Sequence, residues 1–255
     1  MVRFIRMGLL LGVLLAVAQS AWIARGRTTN WQEPLRVVIY PINADHSDAT
    51  DKYIQSLPRD GFEPLAVFMQ EQARIYGLPL NSPVEVYVAP RVNAVPSEPP
   101  RDAGFLTIMG WSLQLRFWAW RNDGYDGPKG HARIFVKYFS PVADLRLAHS
   151  VGLREGLIGV VNAFAADDMT GSNLVVIAHE LLHTFGATDK YDPVTNQPLY
   201  PQGYAAPNAR PRVPQAMAEI MAGRTPLSET TAEMPRGLSD AMIGAQTARE
   251  INWVK

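Results

Sequence analysis

The feature that most constrains this chain is a pair of histidines, His179 and His183, with Glu180 directly after the first. On an α-helix, residues i and i+4 lie one above the other on the same face, so both imidazoles can reach one metal ion. Zinc binds such histidines at about 2.0 to 2.1 Å. Glu180 then faces the open coordination position, where a carboxylate can take a proton from water. The five-residue pattern alone also occurs in helices that bind no metal.

The residues around this pair predict an apolar, buried helix that ends at Phe185. Ser172 or Thr170 can cap its first turn. Gly186 can adopt the positive φ that ends a helix, so the chain can turn back beneath the metal position. Asp189, six residues after the second histidine, then comes within reach as the third metal ligand.

The complete pattern, HExxHxxGxxD from His179 to Asp189, resembles the signature of the metzincin zinc peptidases, with aspartate in place of the usual third histidine. Its continuation to Tyr191 (Asp-x-Tyr) is similar to snapalysin-type and immune-inhibitor-type bacterial peptidases. Glu219 to Gly223 resembles the metzincin Met-turn, a tight turn beneath the zinc. The resemblance covers about 45 residues.

This resemblance implies a zinc-dependent endopeptidase that hydrolyses a peptide or protein substrate. Zn2+ would be held by His179, His183 and Asp189, Glu180 would be the general base, and Met221 would be the structural methionine of the Met-turn. Metzincins that stabilise the oxyanion with a tyrosine often place it two residues after this methionine. This chain has glycine there, so three other tyrosines remain candidates: Tyr191, Tyr200 and Tyr204.

Two alternatives stay open. In the first, the site is a structural clamp in a zinc-stabilised, membrane-associated binding or assembly protein without significant turnover. The intact Glu180 argues against it, since a structural site needs no base. In the second, the chain is a gluzincin-type peptidase with Glu219 as the third ligand, although no helical glutamate with a following aspartate at the usual spacing accompanies it.

Upstream of the motif, apolar runs predict an α+β fold with a mixed, mainly parallel sheet, a backing helix and the active-site helix. The predicted strands are Leu35 to Ile42, Val84 to Ala89, Ala132 to Phe139 and Leu157 to Ala166; the predicted helices are Phe62 to Tyr76, Phe105 to Trp120 and Asp240 to Asn252. By analogy with metzincins, Leu157 to Ala166 would be the edge strand along which an extended peptide substrate pairs.

The segment from Phe105 to Trp120 is dense in apolar and aromatic residues. We interpret it as a helix whose wide apolar face packs in the core, because large apolar residues at helical spacing usually face inward. The alternative is an aromatic surface for a membrane or a partner.

The N-terminus predicts export. Arg3 and Arg6 precede an apolar run from Met7 to Ala18, which is typical of a secretory signal peptide. Extended to Ala24, the run has about 18 residues, barely enough for an uncleaved membrane anchor. We therefore expect a signal peptide or anchor in residues 1–24, one zinc-peptidase-like domain in residues 25–255, and a periplasmic, secreted or membrane-anchored protein.

Charge and composition exclude several classes of function. The chain has 24 basic and 24 acidic residues, scattered along it, so it lacks the basic patch of a nucleic-acid-binding protein. It has no cysteine, which excludes disulfides, thiolate metal sites and a cysteine nucleophile.

Polar residues outside the motif are assigned structural roles. We interpret His149 as structural, His131 as solvated and His46 as part of a helix cap rather than of a second metal site. Asp192 and Asn196 are expected to form turns rather than a calcium site.

Overall fold

The computed structural model of the protein describes residues 31–100, 104–142, 147–154 and 156–254, and isolated positions among the first 30. Most of the predicted signal peptide or anchor, residues 1–24, lies outside the described residues, so export and the domain boundary stay predictions. Among the residues that are described, no helix is both long and apolar enough to cross a bilayer.

A five-stranded sheet with the order β2-β1-β3-β5-β4 forms the framework. Its strands are β1 (Leu35–Asn43), β2 (Val84–Val88), β3 (Ala132–Phe139), β4 (Val151–Leu153) and β5 (Ile158–Phe164). The first three strands and β5 run parallel to their neighbours, and β4 runs antiparallel to β5. The predicted α+β fold with a mainly parallel sheet is therefore confirmed.

Helices cover both faces of this sheet, which explains why β1 and β3 read as continuous apolar runs. The helices are α1 (Asp48–Ser56), α2 (Glu63–Ile75), α3 (Phe105–Arg121), α4 (Thr170–Phe185) and α5 (Ala245–Glu250). Residues of α2 and α4 share a buried cluster with Val37 and Ile39 of β1. Residues of α3 share the opposite cluster with Val38 and Tyr40. Successive β1 side chains thus serve opposite layers, with α4 on one side and α3 on the other.

The C-terminal part is built from short elements beneath α4. It contains β6 (Ala218–Glu219), paired in parallel with β9 (Ala241–Met242), and β7 (Thr225–Pro226), paired antiparallel with β8 (Ala232–Glu233). Trp253 packs edge-on against Trp31, with 5.8 Å between ring centroids, so the C-terminal part shares one core with the segment that precedes β1.

The predicted edge strand is wrong. The strand expected at Leu157 to Ala166 is β5, which lies between β3 and β4. The edge is β4, whose three residues are too few to show a periodic pattern. Gly152 lets this edge approach α4 closely: a Cβ atom at this position would lie 2.5 Å from the Cβ of His183.

The helix predicted at Phe105 to Trp120 is confirmed as α3, but its core packing is confirmed for one face only. Leu115 and Ala119 are buried against the sheet. Phe117 and Trp120 are 60% and 68% exposed on the outer face. The helix carries apolar residues on all of its faces, so their spacing in the sequence could not show which face packs inward.

Candidate metal centre

The helix α4 carries the two histidines from a buried position. Ten of its residues are buried, so its orientation relative to the sheet is fixed by packing. Gly186 ends it with φ 111°, and its N–H donates to the carbonyls of Leu182 and His183 at 3.1 and 3.0 Å. The expected N-terminal cap is wrong: α4 continues directly from a 3-10 turn, and Ser172 donates its hydroxyl to the Met169 carbonyl.

The three predicted ligands converge on one point. The Nε2 atoms of His179 and His183 lie 3.1 Å apart, and Asp189 Oδ1 lies 3.1 Å from each. Tetrahedral ligands at about 2.0 to 2.1 Å from a zinc ion lie about 3.3 Å from one another. This triangle of two nitrogens and one carboxylate oxygen therefore has the size and the chemistry of a zinc site.

Backbone carbonyls orient both imidazoles. His179 Nδ1 donates to the Ile220 carbonyl and His183 Nδ1 donates to the Ala187 carbonyl, each at 2.9 Å. With the proton on Nδ1, the lone pair of each Nε2 points at the centre of the triangle. These carbonyls are the outer support that metal-binding histidines usually have.

The charges of the site favour a cation at its centre. Burial lowers the pKa of His179, but the hydrogen bond with Asp189 and the Glu180 carboxylate oppose it and raise that pKa to about 9. Burial raises the pKa of Asp189, yet its hydrogen bonds with the two imidazoles bring it well below its usual range. The cluster thus draws a proton onto His179, and a divalent cation held between these residues would supply the same positive charge in its place.

Glu180 lies beside the triangle with one oxygen free. Its side chain is buried, and a group of ligand atoms from His179, Glu180 and His183 lies within 4.8 Å of one another. Its Oε2 atom has no hydrogen-bond partner in the described part of the chain. Burial raises its pKa, while the two imidazoles lower it. An unpartnered buried carboxylate oxygen beside a metal site suits a proton acceptor.

The predicted Met-turn is held by Glu219. One carboxylate oxygen accepts from the backbone N–H groups of Met221 (2.7 Å) and Ala222 (3.0 Å). The other accepts from Gly244 N–H (3.0 Å) and from the Thr247 hydroxyl (2.6 Å). Both oxygens are thus occupied, so the alternative with Glu219 as the third ligand is wrong. The turn places the Ile220 carbonyl against His179.

A second carboxylate supports the ligand loop. Glu250 accepts from Thr188 N–H (2.8 Å) and from Lys190 Nζ (2.7 Å), the residues on either side of Asp189. The Lys190 side chain is nearly buried and also donates to the Thr188 carbonyl. Sequence reasoning missed this support, because Glu250 lies 60 positions after Lys190 in the sequence and stands in an ordinary helical pattern.

A cleft of about 420 Å³ opens over the triangle. It runs between the edge strand, at Val151 and Gly152, and the wall formed by Tyr191 and Pro193. An adjoining, mostly apolar cavity of about 490 Å³ extends along α4. Its apolar lining includes Leu147, Phe164, Met169, Val175, Val176 and Met234.

One of the three candidate tyrosines lies in this cleft. Tyr191 lines it beside His179, with ring centroids 6.3 Å apart, and burial followed by the Asp189 and Glu180 carboxylates raises its pKa. Its phenol therefore stays protonated and able to donate. Tyr200 and Tyr204 pack against each other in the proline-rich loop instead.

The other histidines differ from expectation. His149, interpreted as structural, is exposed and lines the cleft. His131, interpreted as solvated, is hydrogen-bonded to Arg36 at 2.8 Å. His46 has φ 57°, and the cap of α1 is the neighbouring Ser47. The turn expected at Asp192 is confirmed, since its carboxylate accepts from the backbone N–H groups of Val194 and Thr195.

Comparisons with known proteins give only distant similarities. No protein-family model matches the sequence, and no curated protein matches it. A structure of a chaperone–substrate complex matches with 10% identity and a TM-score of 0.42, covering 86% of this chain and 33% of that one. Catalytically inactive OgpA from Akkermansia muciniphila, in complex with an O-glycopeptide, matches with 13% identity and a TM-score of 0.35, covering 86% and 60%.

This chain thus spans a third of the length of the first structure and 60% of the second. With TM-scores this low, neither similarity assigns a fold or an activity to it.

Proposed function

We propose that this protein is an exported, metzincin-like zinc endopeptidase. The observation that carries the proposal is the triangle of His179, His183 and Asp189 with 3.1 Å sides, beside the unpartnered oxygen of Glu180. A purely structural zinc site, as in a binding or assembly protein, needs neither this carboxylate nor the cleft above it.

A zinc ion held by this triangle would polarise the scissile carbonyl and make water more acidic. Glu180 accepts the proton of the attacking water and passes it to the departing amine, so the peptide gains one water molecule and no proton is lost. Burial raises the pKa of Glu180 and so favours proton uptake by its carboxylate, whereas a zinc ion beside it would act in the opposite direction. Tyr191 donates its hydroxyl to the developing oxyanion.

The substrate is an extended peptide that pairs with β4. This strand lies at the sheet edge, antiparallel to β5, and its residues line the cleft. An edge strand offers main-chain groups to an added strand. The adjoining apolar cavity then receives an apolar side chain of the substrate next to the bond that is cleaved.

Glu180→Gln tests the proposal. We expect zinc near one per chain, as in the wild type, and a fall in peptide hydrolysis of about 10²-fold or more, because the amide cannot accept the proton. The measurements are metal content after dialysis and cleavage of a mixed peptide library. Glu71→Gln, an exposed glutamate on α2, is the matched control and should retain activity.

Two outcomes would contradict the assignment. Loss of zinc from Glu180→Gln would make this residue a ligand instead of a base. Zinc-loaded wild type that cleaves no peptide in the library would favour the structural-clamp alternative.

A further inference from the structure

The outer face of α3 is an apolar surface without a place in the proposed peptidase. Leu106, Met109, Leu113, Phe117 and Trp120 follow one another at intervals of three or four residues, and we name these five residues the outer stripe. Leu106 is 73% exposed. Since the stripe spans 14 residue steps, it is about 21 Å long. Large exposed apolar patches usually mark an interaction site.

This stripe is distinct from the face that packs on the sheet. Leu115 and Ala119 are buried in the inner face, and Trp118 contacts Phe135 of β3 with 4.8 Å between ring centroids. The helix thus has two apolar faces, and only the inner one is needed to hold it on the sheet. The outer stripe requires another explanation.

The charge of α3 suits a lipid surface. The helix contains no acidic residue, and Arg121 in its last turn is exposed, whereas the Nε and Nη1 atoms of Arg116 are buried. Trp and Phe on one face together with arginine are typical of helices that lie in the headgroup region of a bilayer.

Only a short segment separates the apolar N-terminal run from the folded domain, so an anchor formed by that run would place a bilayer near the domain. Thr28 is fully buried, and its carbonyl accepts a hydrogen bond from the Asn252 side chain at 3.1 Å, so the folded part includes it. The apolar N-terminal run ends at Ala24, four residues earlier. Four residues span at most about 14 Å. An uncleaved anchor would therefore hold this domain close to the membrane in which it sits.

A second copy of the chain is a poorer fit to the stripe. One helix face about 21 Å long and 10 Å wide offers on the order of 200 Å². A stable protein interface buries about 800 Å² per partner. The stripe is too small for a dimer interface of its own. Contact with a bilayer needs no such area, because the N-terminal anchor already attaches the chain to it.

We propose that the outer stripe of α3 lies in the headgroup region of the bilayer that the N-terminal run anchors to. Because α3 and α4 occupy opposite faces of the sheet, this docking leaves the cleft of α4 open to substrates in the surrounding solution. The proposal concerns a different surface from the metal centre and stands without peptidase activity.

The absence of cysteine makes the test direct. Single variants Leu106→Cys and Phe117→Cys are labelled with a nitroxide in the full chain, reconstituted in phosphatidylcholine–phosphatidylglycerol vesicles. Ile75→Cys is the matched control, because Ile75 is also exposed (63%) but lies on α2, on the other side of the sheet. Collision with oxygen reports lipid, and collision with a water-soluble nickel chelate reports solvent.

We expect the ratio of oxygen to nickel collision at positions 106 and 117 to be several-fold higher than at position 75. Equal ratios at all three positions would overturn the proposal. Spin–spin broadening at position 117 that disappears on dilution with unlabelled protein would also overturn it, since a second copy would then cover the stripe. Both cysteines replace exposed side chains, so the fold should be retained, which circular dichroism checks.

Discussion

Two long helices on opposite faces of one sheet, α4 and α3, are both rich in apolar residues, yet they use them differently. In α4 the apolar side chains are buried, and His179 and His183 emerge at the single open side, facing the cleft. In α3 only Leu115 and Ala119 are buried, and four of the five residues of the outer stripe are exposed. Apolar content alone therefore does not show which faces of a helix are buried.

The two helices also differ in what surrounds them. Behind α4, the carboxylates of Glu219 and Glu250 hold the predicted Met-turn and the loop of Asp189, so the predicted metal ligands are fixed by long-range contacts. Such outer support is what a metal centre requires. α3 has no comparable carboxylate of its own, since its sequence contains no acidic residue.

The largest effect should come from the third ligand. Asp189→Ala removes one corner of the triangle, so zinc affinity should fall by more than about 10²-fold, beyond what loss of outer-shell support costs. The measurement is zinc occupancy under a competing chelator, beside the wild type. Asp192→Ala is the control, since Asp192 binds backbone N–H groups of its own turn. Full occupancy in Asp189→Ala would remove this residue from the site.

The local parts of this centre could be predicted from sequence. The helical spacing places His179 and His183 on one face, and Gly186 marks the turn that returns Asp189 to them; both depend on neighbouring residues. A turn around Met221 could be expected from its resemblance to a known pattern, and the structure has a buried 3-10 turn at Ile220–Ala222; its role as a Met-turn stays a prediction.

Long-range partners could not be predicted. The pairing of Lys190 with Glu250 joins residues 60 positions apart, and either residue has an ordinary surface pattern. The edge strand β4 is too short for periodicity to reveal it. The position of His149 in the cleft follows from that strand, so it was missed for the same reason.

A smaller effect is expected from the support behind α4. Glu219→Gln turns one acceptor oxygen into a donor that faces N–H or O–H groups, and each buried group left unpaired costs about 1 to 3 kcal/mol. Urea denaturation should show a loss of about 2 to 3 kcal/mol in the free energy of unfolding. Burial raises the pKa of Glu219. At low pH, a larger fraction of this carboxyl group is therefore protonated than in an exposed glutamate.

The control for this change is Glu71→Gln, which alters an exposed side chain and should shift the free energy of unfolding by less than about 0.5 kcal/mol. Equal stability of the two variants would show that Glu219 does not hold the Met-turn, and His179 would then need another support.

The smallest effect should come from the outer stripe of α3. Phe117→Ser should lower the free energy of unfolding by at most about 1 kcal/mol, because the ring is mostly exposed and its contact with Trp120 (5.8 Å) lies at the surface. Leu115→Ala, two residues away on the inner face, should cost about 2 to 5 kcal/mol. Urea denaturation of both variants measures the difference. A loss at Phe117 as large as that at Leu115 would mean that this face is packed within the protein, and the contrast between α3 and α4 would fail.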